Sequence, residues 1–280
     1  MLSHLSWSRP QTGSRFLNDV LKSTQLPAAA VGNVYNFRSV DQFYFEQYIE
    51  EDFLAGHGLK EFDDFWQLPR TYIDDVNYRR GGWGAVSKLT LADGSSQKTY
   101  YVKRQENQFR YSLGRPLGAL TYEHEVFAVL RNKSLHLAAN NLVCWGVRRG
   151  ADTTRGLIVS REIPAPSLSD IIASRPDWQA LEPVLHRCGS QLLLMHQSAI
   201  QHGALYPKHI FLDLMSGDTQ LIDFERARRR GSVRNAIKSD IKQLIKRLDG
   251  MPSRARSALL SAYIPDHTGL INELLSSRIH

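Results

Sequence analysis

The sequence predicts an α+β fold in two lobes, a small β-rich half followed by a helical half, with an extension in front of both. Three observations carry that prediction. Residues 72–103 alternate apolar and polar positions around a Gly-rich turn and an Asp93-Gly94 turn, the pattern of paired antiparallel strands. A Pro-rich stretch, Arg161-Glu-Ile-Pro-Ala-Pro, then breaks the chain as a linker between two compact halves would. Beyond it, residues 181–197 place Leu181, Val184, Leu185, Cys188, Leu192 and Met195 on one helical stripe. The expected divisions are an extension at 1–70 packing on the first lobe, a β-rich lobe at 71–160 and a helical lobe at 161–280.

Composition bounds the function classes. With 42% hydrophobic and 22% charged residues among 280, the chain reads as an ordinary globular protein with ample length for a core. No run of about 18 apolar residues is present to span a bilayer. The first residues lack a basic segment followed by an apolar one, so no secretory signal is expected. Cys144 and Cys188 are too few for a disulfide framework and fit a reducing cytoplasm. A formal charge of +7 points to an anionic partner. Nucleic acid is a poor candidate, because no aromatic-basic platform or zinc motif accompanies the charge.

In chain order, residues 1–34 are rich in Ser, Pro and Ala and read as a loosely held extension. Aromatics thicken from Tyr35 to Trp66, with a helix expected over 41–51 capped by Asp41. Asp63 and Asp64 sit among them; a satellite hydrophobic cluster accounts for this stretch better than a metal box. Gly81, Gly82 and Gly84 form the Gly-rich turn, where a backbone without Cβ atoms can approach a phosphate closely. Lys103 ends the strand that follows. Residues 104–118 read as a loop, and 117–131 as a helix whose apolar stripe of Leu120, Val126, Phe127 and Leu130 also carries Glu123. A carboxylate there requires a partner; Glu125 is the alternative, on a different face. Core strands are expected at 142–147 and 156–160, and Ser167 caps a short helix. The last 45 residues read as helical, with Ile237, Ile241, Leu244, Ile245 and Leu248 on one face and a final amphipathic segment at 257–264.

Between Met195 and Asp223 the text runs from a helix through a tight loop, His202-Gly-Ala-Leu-Tyr-Pro-Lys-His209, into two short apolar strands and Asp223-Phe-Glu. This resembles the catalytic loop and metal-binding strand of protein-kinase-like phosphotransferases, H-R-D-x-x-x-x-N followed by D-F-G. With Phe62-Asp-Asp-Phe-Trp and Asn77-Tyr-Arg-Arg-Gly-Gly-Trp-Gly-Ala-Val, the chain resembles the lipopolysaccharide kinase family, which includes heptose and Kdo kinases and the acid-inducible InaA proteins.

The resemblance covers roughly residues 60–248 and implies a protein-kinase-like two-lobed fold, ATP with Mg²⁺ as donor, and a sugar hydroxyl of the lipopolysaccharide core, or another anionic acceptor, as substrate. It assigns phosphate binding to Gly81, Gly82, Gly84 and Lys103, with Glu123 aligning the lysine. Adenine falls to the linker Arg161, Glu162 and Ile163. Metal binding falls to Asp223 and His209, catalysis to Lys103, Asp223 and His202, and bracing of the loop backbone to Asp240. Arg226, Arg228, Arg229 and Arg230 are expected to meet an anionic acceptor or headgroups at the inner membrane.

One departure matters most. Ala204 stands where the general-base aspartate belongs, and a general base contributes about 10²–10⁴-fold in rate. Tyr206, Lys208 and His202 are the nearby stand-ins. Two readings follow: a kinase with a displaced base, or a catalytically impaired pseudokinase serving as a nucleotide-binding or stress-response scaffold.

Overall fold

The computed structural model describes residues 41–112, 115–134 and 141–276, all of which fall in one compact unit. The extension expected at 1–34 lies outside the described residues. The first half is built on a six-stranded antiparallel sheet in the order β1-β7-β8-β4-β3-β2. Its strands are β1 (Gln42–Phe45), β2 (Asn77–Arg79), β3 (Gly82–Asp93), β4 (Ser96–Glu106), β7 (Leu142–Arg149) and β8 (Thr154–Arg161).

The aromatic run before residue 66 departs from expectation. Gln42-Phe-Tyr-Phe is a strand, not the start of a helix, and pairs along β7 from Gln42↔Val147 to Phe45↔Cys144. Aromatic side chains in alternation suit a pleated, half-buried surface. Gly146 permits the pairing, since a Cβ there would lie 2.8 Å from the Phe43 ring. Asp41 therefore caps no helix; its carboxylate accepts the Arg149 N–H at 2.8 Å. The helix, α1 (Tyr48–Gly56), begins later, and α2 (Phe62–Trp66) follows it.

Leu54, Phe62, Phe65 and Trp66 from these helices pack with Tyr100, Val102, Val143, Cys144, Leu157 and Val159. The cluster joins these aromatics directly to three strands of the sheet, so it is part of the core of the β-rich half. Asp63 pairs with Arg148, and Asp64 accepts the Lys60 and Glu61 N–H groups, so both acids are structural. Residues 41–66, assigned to the extension by sequence, thus supply the edge strand and one wall of the first half.

The segment read as a loop is a hairpin, β5 (Phe109–Ser112) and β6 (Arg115–Leu120). It delays α3 (Thr121–Ser134) by four residues, because Pro116 and a positive-φ Gly118 suit an extended chain better than a helix.

The second half is helical, as the spacing predicts. It comprises α4 (Leu168–Ser174), α5 (Glu182–Gln197), α6 (Val233–Ile245), α7 (Ser253–Leu260) and α8 (Ile264–Ser276). Ser167 caps α4: its Oγ accepts the Asp170 N–H, and the Asp170 carboxylate accepts the Ser167 N–H in return. Leu185, Cys188, Leu192 and Met195 bury one face of α5, and Gly189 lets α7 approach, since a Cβ there would meet the Leu259 carbonyl oxygen at 1.9 Å. Ile237, Ile241, Leu244, Ile245 and Leu248 are all buried. Both cysteines are free and buried. Among the described residues no helix is long and apolar enough to cross a membrane.

Candidate active site

Three short pieces join the halves into a site. β9 (Ile200–Gln201) leads into the loop at His202, β10 (Ile210–Leu212) and β11 (Thr219–Leu221) form a hairpin after it, and β12 (Arg228–Arg229) returns to pair with β9. The helical turn Phe224–Arg226 packs against α3, which carries the acids of the first half.

The loop is fixed from below by one buried carboxylate. Asp240, on α6 and fully buried, accepts the His202 N–H at 2.6 Å through Oδ2 and the Gly203 N–H at 2.9 Å through Oδ1. Its Oδ2 also lies 3.1 Å from His196 Nε2, and His196 Nδ1 contacts the Tyr263 hydroxyl at 2.9 Å. Gly203 adopts φ +81°, and a Cβ there would meet the Arg226 carbonyl oxygen at 2.5 Å. Only glycine allows the loop and the segment after Asp223 to lie this close.

His202 is a strut. It is fully buried, its Nε2–H donates to the Ile222 carbonyl at 3.0 Å, and its Nδ1 accepts the Ala204 N–H at 3.3 Å. Both nitrogens are engaged with backbone, so the ring has no lone pair left for an acceptor's proton. Burial lowers its pKa to about 4 against an ordinary 6.5.

This has a sign. The unfolded chain takes up a proton near pH 6.5 and the folded chain does not, so stability complete above pH 6.5 is lost as pH falls toward 4. The loss reaches about 3 kcal/mol. Urea midpoints measured at pH 7, 5.5 and 4.5 are expected to fall more steeply for the unaltered protein than for His202→Gln.

Asp223 sits at the mouth of the site with φ 64° and ψ 59°, a left-handed conformation that is uncommon outside glycine and clusters at functional positions. Its Oδ2 lies 3.6 Å from His209 Nε2. The other ring nitrogen, Nδ1, donates to the Ala204 carbonyl at 2.8 Å, so in the neutral ring Nε2 presents a lone pair towards the carboxylate. Burial favours that neutral form by pulling the His209 pKa below its ordinary value.

Two acceptors facing each other at this distance suit a shared cation. Among the described residues no three His, Cys, Asp or Glu side chains are grouped to hold a metal alone. A cation here would complete its shell with phosphate oxygens and water, as Mg²⁺ usually does.

Lys103 reaches the site from β4, paired across the sheet with Val86 and Ile158. Its ammonium is bonded to Glu125, not to the expected Glu123. The reason is the start of α3: Glu123 lies in its first turn, where its carboxylate accepts the Leu120 N–H at 3.2 Å and lies 3.7 Å from Arg149. Glu125, two residues on, faces the lysine. Burial alone would pull the Lys103 pKa down, but Glu125, Asp223 and Glu225 outweigh it and hold it above the ordinary lysine value. One amine thus answers three acids, which leaves net negative charge for a cation.

The Gly-rich turn is a two-residue hairpin, with Arg80 at φ 58° and Gly81 at φ 79° between the paired Arg79 and Gly82. Gly81 is needed for its φ. Gly82 and Gly84 are needed for packing: a Cβ at Gly82 would lie 2.1 Å from the Glu106 carbonyl oxygen, and one at Gly84 3.1 Å from Gln108 Oε1.

In the linker, the Arg161 and Glu162 N–H groups donate to the Asn141 and Thr99 carbonyls, both at 2.8 Å. Their side chains bond Glu50 at 2.9 Å and Tyr101 at 3.0 Å. Both residues are thereby tied into the β-rich half. Among the described residues only Ile163 of the three retains a backbone N–H without a protein partner.

Ala204, 4% exposed, contributes a methyl group where the resemblance expects a carboxylate. Arg228 and Arg229 extend along β12 and are exposed, as is Arg226, while Arg230 is half-buried and closes the segment by donating its N–H to the Ala199 carbonyl.

Comparison with known proteins agrees with this architecture. The sequence model of the Lipopolysaccharide kinase (Kdo/WaaP) family matches residues 63–263. Protein InaA of Escherichia coli (strain K12) is 25% identical over 204 residues, covering 69% of this chain and 90% of that protein. WaaP, solved in complex with acyl carrier protein, superposes with a TM-score of 0.55 at 21% identity, over 84% of this chain and 97% of that one. The superposition is a likeness of fold, and that fold is protein-kinase-like.

Proposed function

Because the chain belongs to the lipopolysaccharide kinase (Kdo/WaaP) family, we propose that it is an ATP-dependent phosphotransferase acting on a sugar hydroxyl of the lipopolysaccharide core or another anionic acceptor. The observation that supports this reading most is the Lys103–Glu125 ion pair, whose ammonium also feels the charges of Asp223 and Glu225 from the other half. An amine held in place by one acid, facing a second acid across a cleft, suits the polyphosphate of a nucleotide and its cation.

In this mechanism Lys103 pairs with donor phosphates, Glu125 fixes its position, and Asp223 with His209 would hold the cation. When bound, Mg²⁺ would neutralise charge on the transferring phosphoryl group. His202 and Asp240 keep the loop in shape, and Ile163 offers its N–H to the base. The protein works in the cytoplasm, with Arg226, Arg228, Arg229 and Arg230 towards the anionic acceptor or the inner-membrane surface.

Ala204 favours the second reading, a pseudokinase that binds nucleotide without transferring phosphate. Phosphoryl transfer relies mostly on positioning and charge neutralisation, so a missing base slows the reaction without abolishing it. The deciding assay follows radiolabel from ATP into purified core oligosaccharide. The kinase reading expects measurable transfer by the unaltered protein and a rise of about 10²-fold or more in Ala204→Asp. Tight Mg-ATP binding with no label transferred by either protein would establish the scaffold instead.

A further inference from the structure

One buried carboxylate clamps the end of the sheet from which the linker departs. Glu50, on α1, is 2% exposed, and its two oxygens serve two strands. Its Oε2 accepts the Tyr100 hydroxyl of β4 at 2.5 Å, and its Oε1 accepts an N–H of Arg161, the last residue of β8, at 2.9 Å. Tyr100 and Arg161 are register partners at the linker end of the β4–β8 ladder, so Glu50 holds both sides of its last rung. Burial, and then the bond to Glu50, keep the Tyr100 hydroxyl above its ordinary pKa, so it stays a donor.

The helix that carries Glu50 is itself fixed. Leu54, one turn further along, is fully buried in the core cluster, and the Phe53 ring stacks 6.4 Å from the Tyr100 ring. Yet α1 ends at Gly56, and the match to the family model begins only at residue 63. The clamp thus comes from a stretch that the match does not cover. An apolar residue would fill the same space at no desolvation cost, so a buried acid here is weak evidence for stability alone. Its place explains it better. Beyond Arg161 the Glu162 N–H donates to the Thr99 carbonyl at 2.8 Å, the Glu162 side chain accepts the Tyr101 hydroxyl at 3.0 Å, and Ile163 follows.

We propose that Glu50 is a positioning residue for the nucleotide base: through Arg161 it fixes where the linker leaves the sheet, and hence where the Ile163 N–H stands. The assignment rests on the phosphotransferase reading above, in which that N–H meets the base. It separates the two ends of the nucleotide. Glu50 governs the base, two strand-ends away from the phosphates, which fall to Lys103 and Asp223 on the other face of the sheet.

The test is calorimetric titration of the full chain with Mg-ATP and with magnesium tripolyphosphate, which offers three phosphates and no base. Glu50→Gln keeps the shape of the side chain and gives up one acceptor; Arg161→Met keeps the stem and removes the guanidinium. Each is expected to weaken Mg-ATP about 3–10-fold, the worth of one hydrogen bond, and to leave tripolyphosphate unchanged. The double variant is expected to be no worse than the weaker single one, because both act through one contact. The Arg161 side chain is 45% exposed, so Arg161→Met carries the test should Glu50→Gln fail to fold.

Equal losses for Mg-ATP and tripolyphosphate would make the pair a general support of the fold and overturn the positioning role. Unchanged Mg-ATP affinity in both variants overturns that role alone and leaves the phosphotransferase reading standing. An unaltered chain that binds neither probe overturns the phosphotransferase reading, and the positioning role with it.

Discussion

Asp240→Ala is expected to lower folding stability by about 3–5 kcal/mol, the loss typical of removing one partner from a buried charged network. The carboxylate is fully buried and satisfies two backbone N–H groups, at His202 and Gly203, as well as facing His196. Alanine would leave both N–H groups and His196 Nε2 without this partner, away from water, with His196 held only through Nδ1 at Tyr263. The loop would lose the contact that holds it under Ala204 and His209, so any nucleotide-dependent activity is expected to vanish with the stability. Asp240→Asn tests the cause. An amide oxygen accepts from one N–H, but its NH₂ group cannot accept from the other, so the loss should be intermediate. Denaturant midpoints for the three proteins at pH 7 decide it; equal midpoints would mean that the loop stands without Asp240.

Lys103→Met is expected to reduce phosphate transfer about 10²–10³-fold, the usual consequence of losing one charged group aimed at the reacting phosphates. Methionine keeps the length of the side chain and removes the ammonium. Its effect on stability should be small, because Glu125, freed of its partner in a buried place, can take up a proton. Glu125→Gln should do less, near tenfold, since the ammonium survives and loses only its orienting acid. Steady-state rates with ATP varied separate the two: the methionine variant changes kcat, whereas the glutamine variant changes KM more. Should Glu125→Gln prove as damaging as Lys103→Met, the acid has a part beyond alignment.

Much of the architecture was legible because it rests on local patterns. The α5 stripe and the apolar face of α6 follow directly from helical spacing, and the Asp93-Gly94 turn from hairpin chemistry. The loop from His202 to Asp223 was readable as a string, and with it Asp240 as its brace. Elements decided by distant partners were not. Gln42-Phe-Tyr-Phe is a strand because β7 offers an open edge and a glycine opposite Phe43, neither of which is local.

Glu123 and Glu125 differ by a phase that the apolar stripe cannot supply. The start of α3 at Thr121 sets it, by turning Glu123 onto the helix's own first turn. His202 looked chemically available until both of its nitrogens were found on backbone groups. Arg79, Arg80, Arg110, Arg226 and Arg228 line one cavity that no local pattern announces, since they come from a turn, a hairpin and a later segment; only Arg226 and Arg228 stood out, as part of a run.

The central claim is that Lys103 and Asp223, from opposite halves, converge on the phosphates of one nucleotide. Calorimetric binding of ATP, with and without Mg²⁺, to the unaltered chain, Lys103→Met and Asp223→Asn tests it most directly. Mg²⁺-assisted binding is expected of the unaltered chain, weaker binding of Lys103→Met in either condition, and loss of the Mg²⁺ enhancement alone in Asp223→Asn. Equal affinities for all three proteins would contradict it.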